Sequence, residues 1–208
     1  MQLFLLCYNS ILTIYILLTM EIISSHRIRL RTWQPGDKSA FVLMNADKRV
    51  MEYFANTLTE SETEALIARI TSHFERHQFG LWAAELKETG DFIGFIGLSI
   101  PTFSSHFTPC VEIGWRLAHA YWGKGLATEG ARAVLEYGFN QLNLDEIVSF
   151  TTASNQRSRR VMEKIGLTHR EEDDFNHPNL PLTHPLSRHV LYRLSKSQWR
   201  HRVRPVGF

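Results

Sequence analysis

The chain has 208 residues, 44% of them hydrophobic, and a formal net charge of +2. That length and apolar content supply one sizeable core and point to a single enzyme-sized domain, and the charge is too small to imply nucleic-acid binding. The two cysteines, Cys7 and Cys110, lie far apart; they indicate no disulfide framework and suit a reducing, cytoplasmic setting.

Leu3 to Leu18 carries no charge and has the apolar character of a marginal membrane span or signal segment. No Lys or Arg precedes it, as a signal peptide's positive region requires. The expectation is a translation start at Met20, with residues 1–19 a hydrophobic extension, 20–198 the domain and 199–208 a basic, solvated tail. A chain starting at Met20 has no membrane partner; a homodimer is left open. Arg27 to Trp33 alternates charged and apolar residues, so Ile28 and Leu30 share one face of a first strand. Pro35-Gly36-Asp37 turns into a helical stretch with Phe41, Leu43 and Met44. Thr59 and Glu62 form a capping-box pattern ahead of Leu66, Ile70 and Phe74 at helical spacing. Leu81–Lys87 and Phe92–Ile100 read as a hairpin, and Pro109–Leu117 as the next strand. After a glycine-containing loop, Ala127, Ala131, Val134, Leu135, Gly138, Phe139 and Leu142 recur as a buried helical stripe. Glu146–Thr151 reads as a strand, Asn155–Ile165 as a helix stopped by Gly166, and His189–Leu194 as a final strand. The class is α/β with a mixed, mostly antiparallel central sheet flanked by helices.

The loop is Tyr121-Trp122-Gly123-Lys124-Gly125-Leu126-Ala127, between a strand and an amphipathic helix. Backbone N–H groups of such a loop and of a helix's first turn lack intrahelical partners and converge on anions, most naturally a diphosphate. A tight strand-to-helix turn with no ligand is the competing reading. The spacing fits neither a dinucleotide fingerprint nor a nucleoside-triphosphate loop. His177, His184 and His189 with Glu171, Glu172, Asp173 and Asp174 fit no zinc signature, and no metal is expected. The acidic run and the Pro- and His-rich loop after it read either as plain surface or as an acceptor-side lid attracting a cationic amine. Trp33, Trp82, Phe103 and Phe107 are candidates for the pocket wall or for the core. Cys110 reads as a small buried thiol rather than a nucleophile.

Trp122-Gly123-Lys124-Gly125-Leu126-Ala127-Thr128 resembles the acyl-CoA loop of the GNAT acetyltransferases, with Gly125 and Ala127 at its last two positions and Trp122 where Gln or Arg is usual. Asn155-Gln156-Arg157-Ser158, on a helix ending in Gly166-Leu167, resembles the Asn-x-x-Ser helix of the RimJ/RimL-like branch. The resemblance covers about residues 26–195. It implies the GNAT acyl-CoA N-acyltransferase fold and transfer of acetyl from acetyl-CoA, the cosubstrate, to a primary amine by direct attack, the acceptor being a protein N-terminus or a small amine. A non-catalytic acyl-CoA sensor is the alternative. The resemblance further implies splayed strands at 111–117 and 146–151, whose backbone, at Ile113, Trp115 and Leu117, holds the pantetheine and acetyl carbonyl. Gly123, Lys124, Leu126 and Thr128 would complete the phosphate cradle. Asn155 would meet the pantetheine arm and Ser158 would bind the cosubstrate or protonate the leaving thiolate. The tyrosine acid of other members is absent, since Met162 and Ile165 are apolar. Glu112 is the general-base candidate, with an exposed strand carboxylate as its other reading; as a base it leads to the expectation that Glu112→Gln lowers the rate mainly below neutral pH. Arg157, Arg159 and Arg160 face either the adenosine phosphate or solvent.

Overall fold

The computed structural model describes residues 23–203; the expected start at Met20 and the apolar extension before it lie outside the described residues. The strands are β1 (Ile23–Ser24), β2 (Ile28–Arg31), β3 (Leu81–Leu86), β4 (Phe92–Ser99), β5 (Glu112–Leu117), β6 (Glu146–Thr152), β7 (Thr168–His169), β8 (Phe175–Asn176) and β9 (Arg188–Ser195). They form one sheet in the order β1-β2-β3-β4-β5-β6-β9-β7, with β8 also on β9. Every pairing is antiparallel except β5 with β6, as the mostly antiparallel expectation requires. The strand expected from Pro109 begins only at Glu112. The two-residue strands β1, β7 and β8 carry too little alternation to be legible.

Helices cover both faces. On one, α3 (Leu126–Asn140) sets Ala131, Val134, Leu135 and Phe139 against Ile96, Leu98 and Ile113 of the sheet, all fully buried. On the other, α1 (Asp37–Ala46) encloses Phe41, Met44, Val50 and Phe95 with Leu66 and Ile67 of α2 (Glu60–His77), while Ile70 and Phe74 of α2 reach the first cluster. The capping box at α2 is present in both directions: Glu62 N–H donates to Thr59 Oγ1 at 3.3 Å and Thr59 N–H to Glu62 Oε2 at 2.8 Å. The Arg31 guanidinium grips Asp37 through two 2.8 Å bonds and also meets Glu85, which ties β2 to the start of α1 and to β3. Its two carboxylate partners hold Arg31 protonated well above the usual arginine range. The basic C-terminal stretch, expected as a solvated tail, includes a helix, α5 (Lys196–Val203), whose Trp199 stacks on Phe139.

The feature that makes the site is a parting of neighbouring strands. β4 and β5 pair over six residues and β6 and β9 over seven, but β5 and β6 share a single register pair, Glu112 with Val148. Next along, the Ser149 hydroxyl, rather than a backbone N–H, donates to the Ile113 carbonyl at 2.8 Å. Beyond that point the two strands diverge, as the family resemblance implied, and edge backbone between them is free for a ligand.

Candidate active site

A cavity of about 780 Å³ opens where β5 and β6 part. Its walls come from the start of α3, from α4 (Gln156–Lys164), from residues 49–55 and from the loop before β9. Gly123 (φ 73°) and Gly125 (φ 77°) are both left-handed, and a side chain at either is strained. Gly125 is the N-cap of α3. The N–H groups of Gly125, Leu126, Ala127 and Thr128 donate to no protein acceptor among the described residues. An Ala-sized group at Gly123 would meet nothing within 4 Å, so the space over the loop is open. Free N–H groups, a helix N-terminus and open space suit a diphosphate. The indole Nε1 of Trp122 donates to the Leu117 carbonyl at 2.7 Å, so this residue, standing where Gln or Arg is usual, pins the loop to the end of β5.

Glu112, Trp115, Leu117, Trp122, Gly123, Gly125, Leu126, Ala127, Thr128, Asn155 and Ser158 all line the cavity. Two expected contacts do not. The Ile113 side chain is fully buried under α3, because alternation along β5 turns it to the opposite face from Glu112, and its carbonyl, at the β6 edge, is taken by Ser149. Lys124 does not line the cavity: its ammonium lies 5.5 Å from the Tyr121 ring centre and its carbonyl accepts from Arg27 at 3.0 Å.

Asn155 caps α4 by accepting the Ser158 N–H at 3.1 Å and donates Nδ2 to Thr151 Oγ1 at 3.0 Å, which leaves one amide hydrogen for a ligand. The Ser158 hydroxyl makes no hydrogen bond among the described residues. Arg157 and Arg160 line the cavity; Arg157 pairs with Glu52 and lies 4.7 Å from the Trp122 ring. Arg159 turns away, donating to Tyr192 Oη and the Ala153 carbonyl.

Glu112 is recessed in the cavity, and its one partner is the Ser99 hydroxyl at 3.4 Å. Loss of water pushes its pKa up to about 8. Glu112 is half-buried, so it is not an exposed strand carboxylate. The raised value also reverses the expected pH window for Glu112→Gln: a carboxyl still protonated at neutral pH already resembles the amide there, and the two diverge only as pH rises toward 8.

The aromatic candidates resolve against the pocket. Trp82 packs on Phe74 and Tyr137 in the core, and Trp33 donates its indole N–H to the Leu81 carbonyl. Phe103 and Phe107 cluster with Phe150 and Phe175. Of the lid segment, His177, Asn179, Leu180 and Leu186 reach the cavity wall with His189, but the acids do not. Asp173 pairs with Arg193, and Asp174 with His169 and Arg188. An amine-attracting acidic lid is therefore not what this loop presents. No group of three or more His, Cys, Asp or Glu suited to a metal occurs among the described residues. Burial pushes the Cys110 thiol up to about 11, which leaves it unreactive at neutral pH.

Arg116, Tyr53, Phe95 and Ser99 also line the cavity and were not anticipated. For Arg116 the signal was present: strand alternation from Glu112 through Gly114 puts it on the same face.

A family model described as an acetyltransferase (GNAT) domain matches residues 27–168. The Bacillus subtilis protein YkkB is 35% identical over 68% of this chain and 81% of its own length. A GNAT-family acetyltransferase from Bacillus anthracis superposes with a TM-score of 0.70 at 25% identity, covering 85% of this chain and 99% of that one. RimJ from Mycobacterium smegmatis, solved with CoA-disulfide, shares the fold at a TM-score of 0.70 and 16% identity, over 86% and 90% of the two chains. The chain belongs to the GNAT acetyltransferase family, the acetyl-CoA-dependent N-acetyltransferases.

Proposed function

We propose that the cavity transfers acetyl from acetyl-CoA to a primary amine by direct attack, with Glu112 as proton acceptor and Ser158 as donor to the leaving sulfur. The observation that carries this reading is a recessed carboxyl, a free hydroxyl and a set of unpaired backbone N–H groups in one cavity at the β5/β6 parting. Bound acetyl-CoA supplies the thioester, whose carbonyl is the electrophile. Residues 125–128 hold the diphosphate, aided by the dipole of α3, and Arg157 and Arg160 stand over the same mouth. Edge N–H groups of β5 past the parting favour developing negative charge on a carbonyl oxygen; losing one such donor costs about 3–4 kcal/mol in comparable sites. The remaining amide hydrogen of Asn155 orients the arm.

Glu112 and the incoming amine must together hold one proton rather than two for attack to begin. An alkyl amine with a pKa near 10.4 is almost wholly charged at pH 7, and a carboxyl titrating near 8 is about one-tenth ionised there. Ionised Glu112, poorly solvated, takes one proton from the ammonium readily; as the C–N bond forms and the C–S bond breaks, Ser158 gives its hydroxyl hydrogen to the thiolate and regains one from the attacking nitrogen, which becomes the amide, and Glu112 later releases its proton to solvent. Family membership favours this reading over a non-catalytic sensor, which needs neither Glu112 nor the free hydroxyl. Initial rates with both substrates varied test it: intersecting double-reciprocal lines and no protein-bound acetyl are expected. Parallel lines with a trapped acetyl-enzyme would refute direct attack.

A further inference from the structure

Arg116 and Arg160 are the arginines of the cavity wall with no carboxylate partner among the described residues, and Arg116 is half-buried whereas Arg160 is exposed. The Arg116 guanidinium sits 4.1 Å from the Phe54 ring centre and 5.3 Å from that of Phe95. Nη1 donates to Asn45 Oδ1 at 2.8 Å. Asn45 is itself fully buried and fixed by donating Nδ2 to Thr63 Oγ1, so its oxygen is held toward the arginine. Nε is buried and has no partner at all, alone among buried side-chain nitrogens and oxygens of the described residues. A guanidinium has five N–H donors, and one bond leaves most of them unused in a place poor in water. Burial without an acid lowers its pKa to about 10, still leaving it charged at neutral pH. A half-buried charge with no acid beside it and a buried, orphaned donor is costly to keep as mere structure.

The rest of the wall sharpens this. Glu112 carries the cavity's only carboxyl among the lining residues, against Arg49, Arg116, Arg157, Arg160 and Lys164. Arg157, Arg160 and Lys164 belong to α4, on the side of the phosphate cradle, whereas Arg116 stands on β5 facing α1. Such a wall disfavours a polycation. We propose that Arg116 anchors a carboxylate on the acceptor, which is thus an elongated amine with its anionic group remote from the nitrogen. This rests on the transfer reading above and narrows its substrate class. Glu112 and Arg116 are four residues apart on one strand face, about 13 Å between backbones. Allowing roughly 3 Å of hydrogen bonding at each end leaves on the order of 7 Å between the acceptor's nitrogen and its carboxylate. Phe54 and Phe95 flank the guanidinium and leave its N–H edge as the polar target.

The test is thiol release from acetyl-CoA with a ladder of ω-amino acids, from glycine to 6-aminohexanoate, each against the alkylamine of matched length. The amines differ little in basicity beyond glycine, so the ratio of kcat/KM within a pair isolates the carboxylate. The ratio should rise with length to about tenfold or more at the long end, the worth of one charge-assisted pair. In Arg116→Gln the long-end ratio should fall to about one, and Arg116→Lys should restore part of it. A flat ladder in the wild type, no ladder member reacting while calorimetry shows acetyl-CoA bound, or a preference that survives in Arg116→Gln would each overturn the anchor. The wild-type ladder decides alone if the variants do not fold. Failure to bind acetyl-CoA at all would instead overturn the transfer reading on which the anchor rests.

Discussion

Replacing Glu112 by Gln should make the protein more stable at alkaline pH and leave it unchanged in acid. Glu112 titrates near 8 in the folded chain against an ordinary 4.5. A folded-state pKa raised in this way means that the folded form keeps a proton the unfolded chain has released between those values. Stability from this group is therefore full below about pH 4.5 and is lost as pH rises through 8. The rise from 4.5 to about 8 corresponds, at about 1.36 kcal/mol per pH unit, to at most about 5 kcal/mol, because cavity water screens the carboxylate. For a chain of this size that corresponds to a gain in Tm on the order of 10 °C for the variant at pH 9. Thermal melts of both proteins without ligand, at pH 5 and pH 9, read the difference directly, and titrations elsewhere cancel between them. Equal melting at both pH values, or a variant less stable at pH 9, would show that Glu112 is solvated and would remove the reasoning that makes it a tuned base.

The same group sets a kinetic expectation: the ratio of wild-type to Glu112→Gln kcat/KM should climb with pH and level off near 8, since kcat/KM reports the free enzyme; a ratio flat with pH would take Glu112 out of the proton path. Gly125→Ala, at φ 77°, should lose about 1–2 kcal/mol of stability and weaken acetyl-CoA binding measured by calorimetry. Asn155→Ala should cost about 1 kcal/mol in urea unfolding through the lost cap of α4, and a larger fall in acetyl-CoA affinity than in stability would place its amide on the ligand. Asp37→Ala, which removes two charge-assisted bonds from Arg31 and leaves Glu85 as its carboxylate partner, should cost about 1.5–3 kcal/mol in the same assay. Cys110 should alkylate slowly at pH 7, and Cys110→Ala should turn over like the wild type.

What was legible in the sequence was local. The Thr59 and Glu62 cap, the buried stripe of α3 and the glycine loop ahead of it are carried by residues within a few positions of one another, so period and spacing found them. The hairpin of β3 and β4 was found the same way. The parting of β5 and β6 came only from resemblance, because nothing in either strand's own pattern says where it leaves its neighbour. Lys124 was expected in the cradle for being in the loop, yet its side chain follows Tyr121 outward. Glu112 was visible as a residue but not as a recessed, half-buried acid, since its surroundings are assembled by the fold. Arg116 was passed over because what makes it unusual is remote: Asn45 is 71 positions away, and the absence of any acid beside it is a property of the whole cavity.

The most direct test of the central claim is thiol release from acetyl-CoA by the purified protein, with and without a panel of amines, beside calorimetric titration of acetyl-CoA. Acetyl-CoA should bind to the wild type and more weakly to Gly125→Ala, and thiol should appear only when an amine is present. Binding without amine-dependent release across the panel would make the cavity a receptor rather than a catalyst, and no binding would contradict the assignment of the glycine loop as its phosphate cradle.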